Sequence, residues 1–305
     1  MWIILAFVSA ALLGFYDVFK KFSLRENAVI PVLFLNTLFC SLIFIPFIIS
    51  SRIGTISDGS NFYVPVCDLR SHGFIILKAV IVLSSWILGY FAIKHLPLTI
   101  VGPINATRPI LVLLGALLIF GETLNGWQWA GVILAIISFF LLNKSGKKEG
   151  IIFKHNKWIY FLIGAALFGA ASGLYDKLVM APESNGGLGI DKMAVQSWYN
   201  IYQCIIMGVI MMLLWYPKRK STTPFKWKTS IIFISIFLSL ADFAYFYALS
   251  LPDAMISVVS MIRRGSVIVS FLFGAMIFHE KNLKAKAIDL LLVLIGMICL
   301  WIGSN

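Results

Sequence analysis

The chain has 305 residues, 60% of them hydrophobic and only 12% charged, with a mean hydropathy of +0.93 and a formal net charge of +12. Soluble domains average roughly 45–50% apolar and about 25% charged residues, so a water-soluble globule is excluded. A bilayer-crossing helix needs about 20 apolar residues in succession, and the distribution of the apolar residues meets that demand repeatedly.

In chain order, ten such runs are predicted as helical spans, at 2–19, 29–50, 73–93, 98–120, 127–143, 158–180, 193–216, 229–250, 254–278 and 287–303. Barrel strands would be only ~9–11 residues long and would alternate apolar with polar; no run alternates. The connections are short apart from 51–72 and 181–192, so function must reside in or beside the membrane. The first run, with Ser9-Ala10-Ala11 near its middle, lacks the basic start of a signal peptide and reads as a retained span. Cys40, Cys204 and Cys299 fall in spans and Cys67 in a loop, which is neither a disulfide framework nor a metal-ligand spacing.

The two halves repeat. At an offset of 159, Ala10, Ala11, Gly14, Tyr16 and Asp17 line up with Gly169, Ala170, Gly173, Tyr175 and Asp176. At 155, Tyr90-Phe91, Leu96-Pro97 and Arg108 meet Tyr245-Phe246, Leu251-Pro252 and Arg263, and at 158 Glu122 meets Glu280. The drift implies a small insertion in the ninth span. Five spans per copy reverse the second copy across the bilayer, so the expected fold is an all-α membrane protein of ten transmembrane helices in two five-helix inverted repeats, residues 1–145 and 146–305. Connections after odd spans carry 17 Lys and Arg and those after even spans only 3. The rule that cytoplasmic loops are basic then puts both termini outside. Dispersed over short loops in this way, the positive charge sets topology, with lipid headgroups as a secondary contact, and does not suggest nucleic acid.

Ten spans in two copies, a first span ending in Gly14-x-x-x-x-x-Lys20-Lys21, a Glu closing the fourth span of each copy, and Leu118-Ile119-Phe120-Gly121-Glu122-Thr123-Leu124 followed by Gln128-Trp129-Ala130-Gly131 together resemble the EamA-like group of the drug/metabolite transporter superfamily. The resemblance implies a metabolite exporter with cytoplasmic termini, opposite to the charge-derived orientation. His279 in place of the Gly before Glu280, and Asp289 where the first copy has Gly131, depart from the pattern and imply a different packing of the tenth span.

A charge within hydrocarbon costs roughly 2.5–3.5 kcal/mol on insertion scales and needs a partner, a wet cavity or a short route to the interface. Arg108 and Arg263 each lie about ten residues into their spans, about 15 Å deep at 1.5 Å per residue, near the midplane of a ~30 Å core. Arg264 adds a second charge beside Arg263. These guanidiniums suit a carboxylate or phosphate; the alternative is a structural pair with Asp242, deep in the eighth span. Pro103 and Pro109 predict a kink or break in the fourth span, with Asn105 one turn from Arg108 on the same face. Asp17 stands three and four residues from Lys20 and Lys21, an ion-pair spacing. With Asp176 it could otherwise form alternate gates or exchange protons at opposite faces. Tyr16, Tyr175, Trp86, Tyr90 and Tyr245 are either cavity walls or interfacial anchors. Lys78 should reach the interface along its own stem, and Glu122, Glu280 and Asp253 read as helix-boundary residues.

No Walker loop and no His-x-x-x-His pair occurs, which excludes an ATP-driven pump for this chain alone, and no cofactor or metal is expected. The reading is a secondary transporter in the cell membrane. It alternates access around a cavity lined by spans 1, 3, 4, 6, 8 and 9, and its cargo is a small metabolite bearing a carboxylate, such as an amino acid, with export as the direction the resemblance implies. Proton coupling and a monomeric or homodimeric state stay open. The alternatives are a lipid or lipid-phosphate flippase and a non-transporting scaffold.

Overall fold

The computed structural model describes residues 2–111, 125–147, 151, 153–180, 187–250, 262–278, 280 and 282–304. Among them the regular structure is helical throughout: α1 (Trp2–Leu24), α2 (Val29–Arg52), α3 (Leu69–His95), α4 (Leu98–Ala106), α5 (Gly126–Lys147), α6 (Lys157–Met180), α7 (Lys192–Ile210), α8 (Ser230–Ser250), α9 (Ser266–Ile277) and α10 (Leu283–Ser304). Helices are what a bilayer permits, because lipid offers backbone groups no hydrogen-bond partner. Six of these, α1, α2, α3, α6, α7 with its π-helical extension to Trp215, and α10, are long and apolar enough to cross a membrane. Parts of α5 and α8 are shorter apolar helices.

The starts and stops have local causes. Asp68 caps α3 by accepting from Ser71 N at 2.9 Å, and Asp191 caps α7 by accepting from Met193 N at 2.8 Å and Ala194 N at 3.1 Å, each satisfying N–H groups that a first turn leaves free. The fourth span is interrupted as its prolines predict. α4 stops at Ala106 and turns at Thr107, because Pro109 has no N–H to donate and its ring crowds the Asn105 carbonyl four residues back. In the ninth span Gly265 makes a turn directly before α9.

Packing couples the halves tightly. α1 lies on α8, α3 on α6, α2 on α7, α4 on α9 and α5 on α10. Each pair runs antiparallel. Ser9 Oγ donates to Ala241 O at 2.6 Å while Ser23 and Ser230 hydroxyls meet at 2.7 Å. Ser85 Oγ donates to Ala165 O at 2.7 Å, and farther along His95 stacks on Trp158. Ser41 Oγ reaches Asn200 O at 2.8 Å, whereas Phe34 lies beside Gly208. Leu98 faces Gly274 and Gly102 faces Val267; Gly131 faces Gly296 and Ser138 Oγ donates to Asp289 O at 2.8 Å. Gly14, from the small-residue pattern of α1, lets α9 approach: a Cβ there would fall 2.7 Å from Val269 Cγ1 and 2.9 Å from Ser266 O. That glycine serves internal packing.

Candidate functional site

At the C-terminal end of α1, Asp17 accepts from Lys20 Nζ at 2.6 Å. Spacing allowed both lysines as partners, and the fold separates them: Lys21 Nζ donates to Ile93 O at 2.6 Å and also to Leu96 O, covering carbonyls that the end of α3 leaves unpaired. The Lys20 ammonium stands 4.1 Å from the Tyr16 ring centre and 5.2 Å from that of Tyr90, and Tyr16 OH donates to Tyr90 OH at 3.4 Å. Tyr16, Lys20 and Tyr90 are all buried, so this end of the interior is closed by a layer of aromatic and ionic contacts.

The other end corrects an expectation. Lys78 does not run out to the interface; it is 4% exposed and forms an ion pair with Asp176. α6 packs over α3 at this level, which covers the outward path and supplies a carboxylate in its place. The Lys78 ammonium also faces the Tyr199 ring at 5.3 Å, and Tyr175 OH donates to Phe74 O at 3.1 Å. Asp17 and Asp176 therefore both stand in ion pairs, one within a helix and one bridging the halves.

Between these layers lies the third pair. Arg263 bonds Asp242, whose other oxygen accepts from Tyr199 OH at 3.3 Å, and the guanidinium covers the Tyr245 ring at 4.2 Å. Trp86 packs against the main apolar core. Arg108 follows the turn at Thr107, and its guanidinium lies on Gly169 of α6, where a Cβ would come within 2.7 Å of Cζ. It stands in electrostatic range of Asp17 and Tyr16, yet among the described residues its Nε is buried without a hydrogen-bond partner, as is Asn105 Oδ1. Arg264 stands in range of Arg108, Arg263, Tyr245 and Asp176. Among the described residues neither Arg108 nor Arg264 has a hydrogen bond or an ion pair. The predicted charged residues thus line the interior from the Asp17–Lys20 end to the Lys78–Asp176 end, with Arg108 in range of Asp17 and Arg264 in range of Asp176.

Two features were not anticipated. α7 buries Gln196, Asn200 and Gln203 on one face, opposite Asn36 and Ser41 of α2 and Ser235 and Ser239 of α8. Ser235 Oγ donates to Asn36 Oδ1 at 3.1 Å, while both ends of the Gln196 and Gln203 amides are buried without partners among the described residues. The spacing of those amides, one helix face, was the available signal. Glu280 is a boundary residue of an unexpected kind: it accepts from Leu98 N at 2.7 Å and Thr99 N at 2.8 Å, capping α4 of the opposite half. Lys286 Nζ donates to Thr99 Oγ1 at 2.9 Å. The motif 118–124 with Glu122, and Asp253, Glu183 and His279, lie outside the described residues. Among the described residues no three His, Cys, Asp or Glu side chains converge as metal ligands would.

Residues 1–144 match the EamA-like transporter family. No curated protein matches the chain. Among solved structures 25 chains match. One of them, described as "Crystal structure of protein", shares 11% identity with a TM-score of 0.63 over 99% of this chain and 97% of its own length, a likeness of fold alone.

Proposed function

We propose, from the match of residues 1–144 to the EamA-like transporter family of the drug/metabolite transporter superfamily, that this multi-pass membrane protein is a secondary transporter of a small anionic metabolite, working by alternating access. The observation that carries the reading is the pair of cations Arg108 and Arg264, placed beside breaks in the fourth and ninth spans with no ion-pair partner among the described residues. An uncompensated charge inside a membrane protein is expensive, and a visiting carboxylate or phosphate would compensate it through charge-assisted hydrogen bonds. Interrupted helices meeting near the midplane are where many secondary transporters build such sites.

The two halves act as inverted five-helix repeats in this reading. Its support is that α2, α4 and α5 each run antiparallel to the helix five places later. Rocking one repeat against the other would open and close the Lys78–Asp176 bridge, which joins the two halves. Export as the direction follows from the family alone.

The test is flux in sealed proteoliposomes with a panel of radiolabelled amino acids and carboxylic acids, with and without a pH gradient. Arg108→Ala should abolish movement of whichever compound the natural chain carries while the variant still inserts and purifies. Undiminished flux in that variant would refute the site.

A further inference from the structure

The charge inventory of the cluster goes one step beyond the anion reading on which it rests. Among the described residues, five cations, Lys20, Lys78, Arg108, Arg263 and Arg264, line this interior with three carboxylates, Asp17, Asp176 and Asp242, and each carboxylate already holds a cation of its own in an ion pair with Lys20, Lys78 or Arg263. Among the described residues the surplus is the two guanidiniums of Arg108 and Arg264, which flank the breaks at Thr107 and Gly265 where α4 packs antiparallel on α9, Gly102 facing Val267, and which stand in electrostatic range of one another. Their mutual repulsion is strengthened by the low dielectric around them. In the sequence outside the described residues, the acids of the flanking stretches are Glu122, 14 positions after Arg108, and Asp253, 10 positions before Arg263.

The geometry points to a cargo that carries two negative charges, held between Arg108 and Arg264. A single negative charge would relieve one guanidinium and leave the other uncompensated. A dianion relieves both and cancels the repulsion between them. The donors also suit such a guest: among the described residues Arg108 Nε and Arg263 Nε are both buried without hydrogen-bond partners, and guanidinium forks bind carboxylate and phosphate oxygens in pairs. A dicarboxylate and a phosphate monoester share this chemistry.

Matched pairs differing by one charge separate the cases. The full chain, purified in detergent and in proteoliposomes, is titrated at pH 8 with succinate against monomethyl succinate, and with phenyl phosphate against methyl phenyl phosphate; the monoester is then doubly charged, its second pKa being about 6. Binding is read from the ligand-dependent rise in melting temperature and from competition with uptake of the labelled dianion. The expected result is at least tenfold tighter binding of one or both dianions than of the corresponding monoanion. Succinate alone would identify a dicarboxylate site and phenyl phosphate alone a phosphate-ester site. Arg264→Gln should erase the preference, and Arg264→Lys, which keeps the charge, should retain it. Equal affinity for mono- and dianions would overturn the two-charge inference while leaving the anion reading intact. So would sodium chloride competing as well as the dianions do. Failure of every anion to bind, with neutral or cationic compounds carried instead, would overturn both.

Discussion

Gly169→Ala tests the central contact without touching a charge. The added Cβ would lie 2.7 Å from Arg108 Cζ and 2.9 Å from its Nε and Nη1. Non-bonded carbons rest about 3.5–4.0 Å apart, so the guanidinium must retreat by about 1 Å. The group that moves is the far end of a flexible side chain, so the strain should stay below about 1 kcal/mol, and exchanging glycine for alanine inside a helix returns ~1 kcal/mol. Net stability should therefore be unchanged or slightly higher. Function should not be: a misplacement of about 1 Å at a reacting or binding group can cost ~10²-fold. The assay is initial uptake rate in proteoliposomes alongside thermal melting of the same preparation. A variant that melts like the natural chain yet transports at least tenfold more slowly meets the expectation. Natural flux, or a melting temperature lowered as much as the flux, would show that the Gly169–Arg108 contact is only packing.

A glycine-to-alanine change in the first half should behave in the opposite way. Gly14→Ala meets Val269 and the backbone oxygen of Ser266, which cannot swing aside, so it should destabilise by about 1–3 kcal/mol and lower the melting temperature. Lys78→Ala strands the partly buried Asp176 and should cost about 1–3 kcal/mol; Lys78→Ala with Asp176→Ala together should melt higher than Lys78→Ala alone, and a double variant no better than the single would exclude the pair as the cause. Hydrogen bonds from Ser71 hold the Asp68 carboxyl below its ordinary range. Because the folded value is the lower one, the cap contributes above the unfolded pKa of about 3.9 and is lost as pH falls through the folded value. Amide exchange in the first turn of α3 should accelerate selectively under acid, and Asp68→Ala should show the fast rate at neutral pH already.

Much of this molecule is legible without coordinates. Run lengths specify helices because a bilayer leaves backbone groups no other partner. The repeated Gly-x-Tyr-Asp and the two deep arginines mark the cluster, since charges in oil are too costly to be incidental. Pro103 and Pro109 announce the break before Arg108, and Asp242 is legible as one alternative partner for the deep arginines, of which the fold gives it Arg263. What the chain alone left open is the face each helix turns inward. Lipid is as apolar as the protein interior, so a spanning helix shows little of the hydrophobic contrast that orients a soluble one. Only tertiary packing decided that Lys78 meets Asp176, that Gly169 seats Arg108, that Glu280 caps a helix of the other half, and that Gln196 and Gln203 point inward. Those partners lie far apart in sequence and meet because the two halves pack antiparallel, and their meeting leaves the interior arginines Arg108 and Arg264 without an ion pair among the described residues.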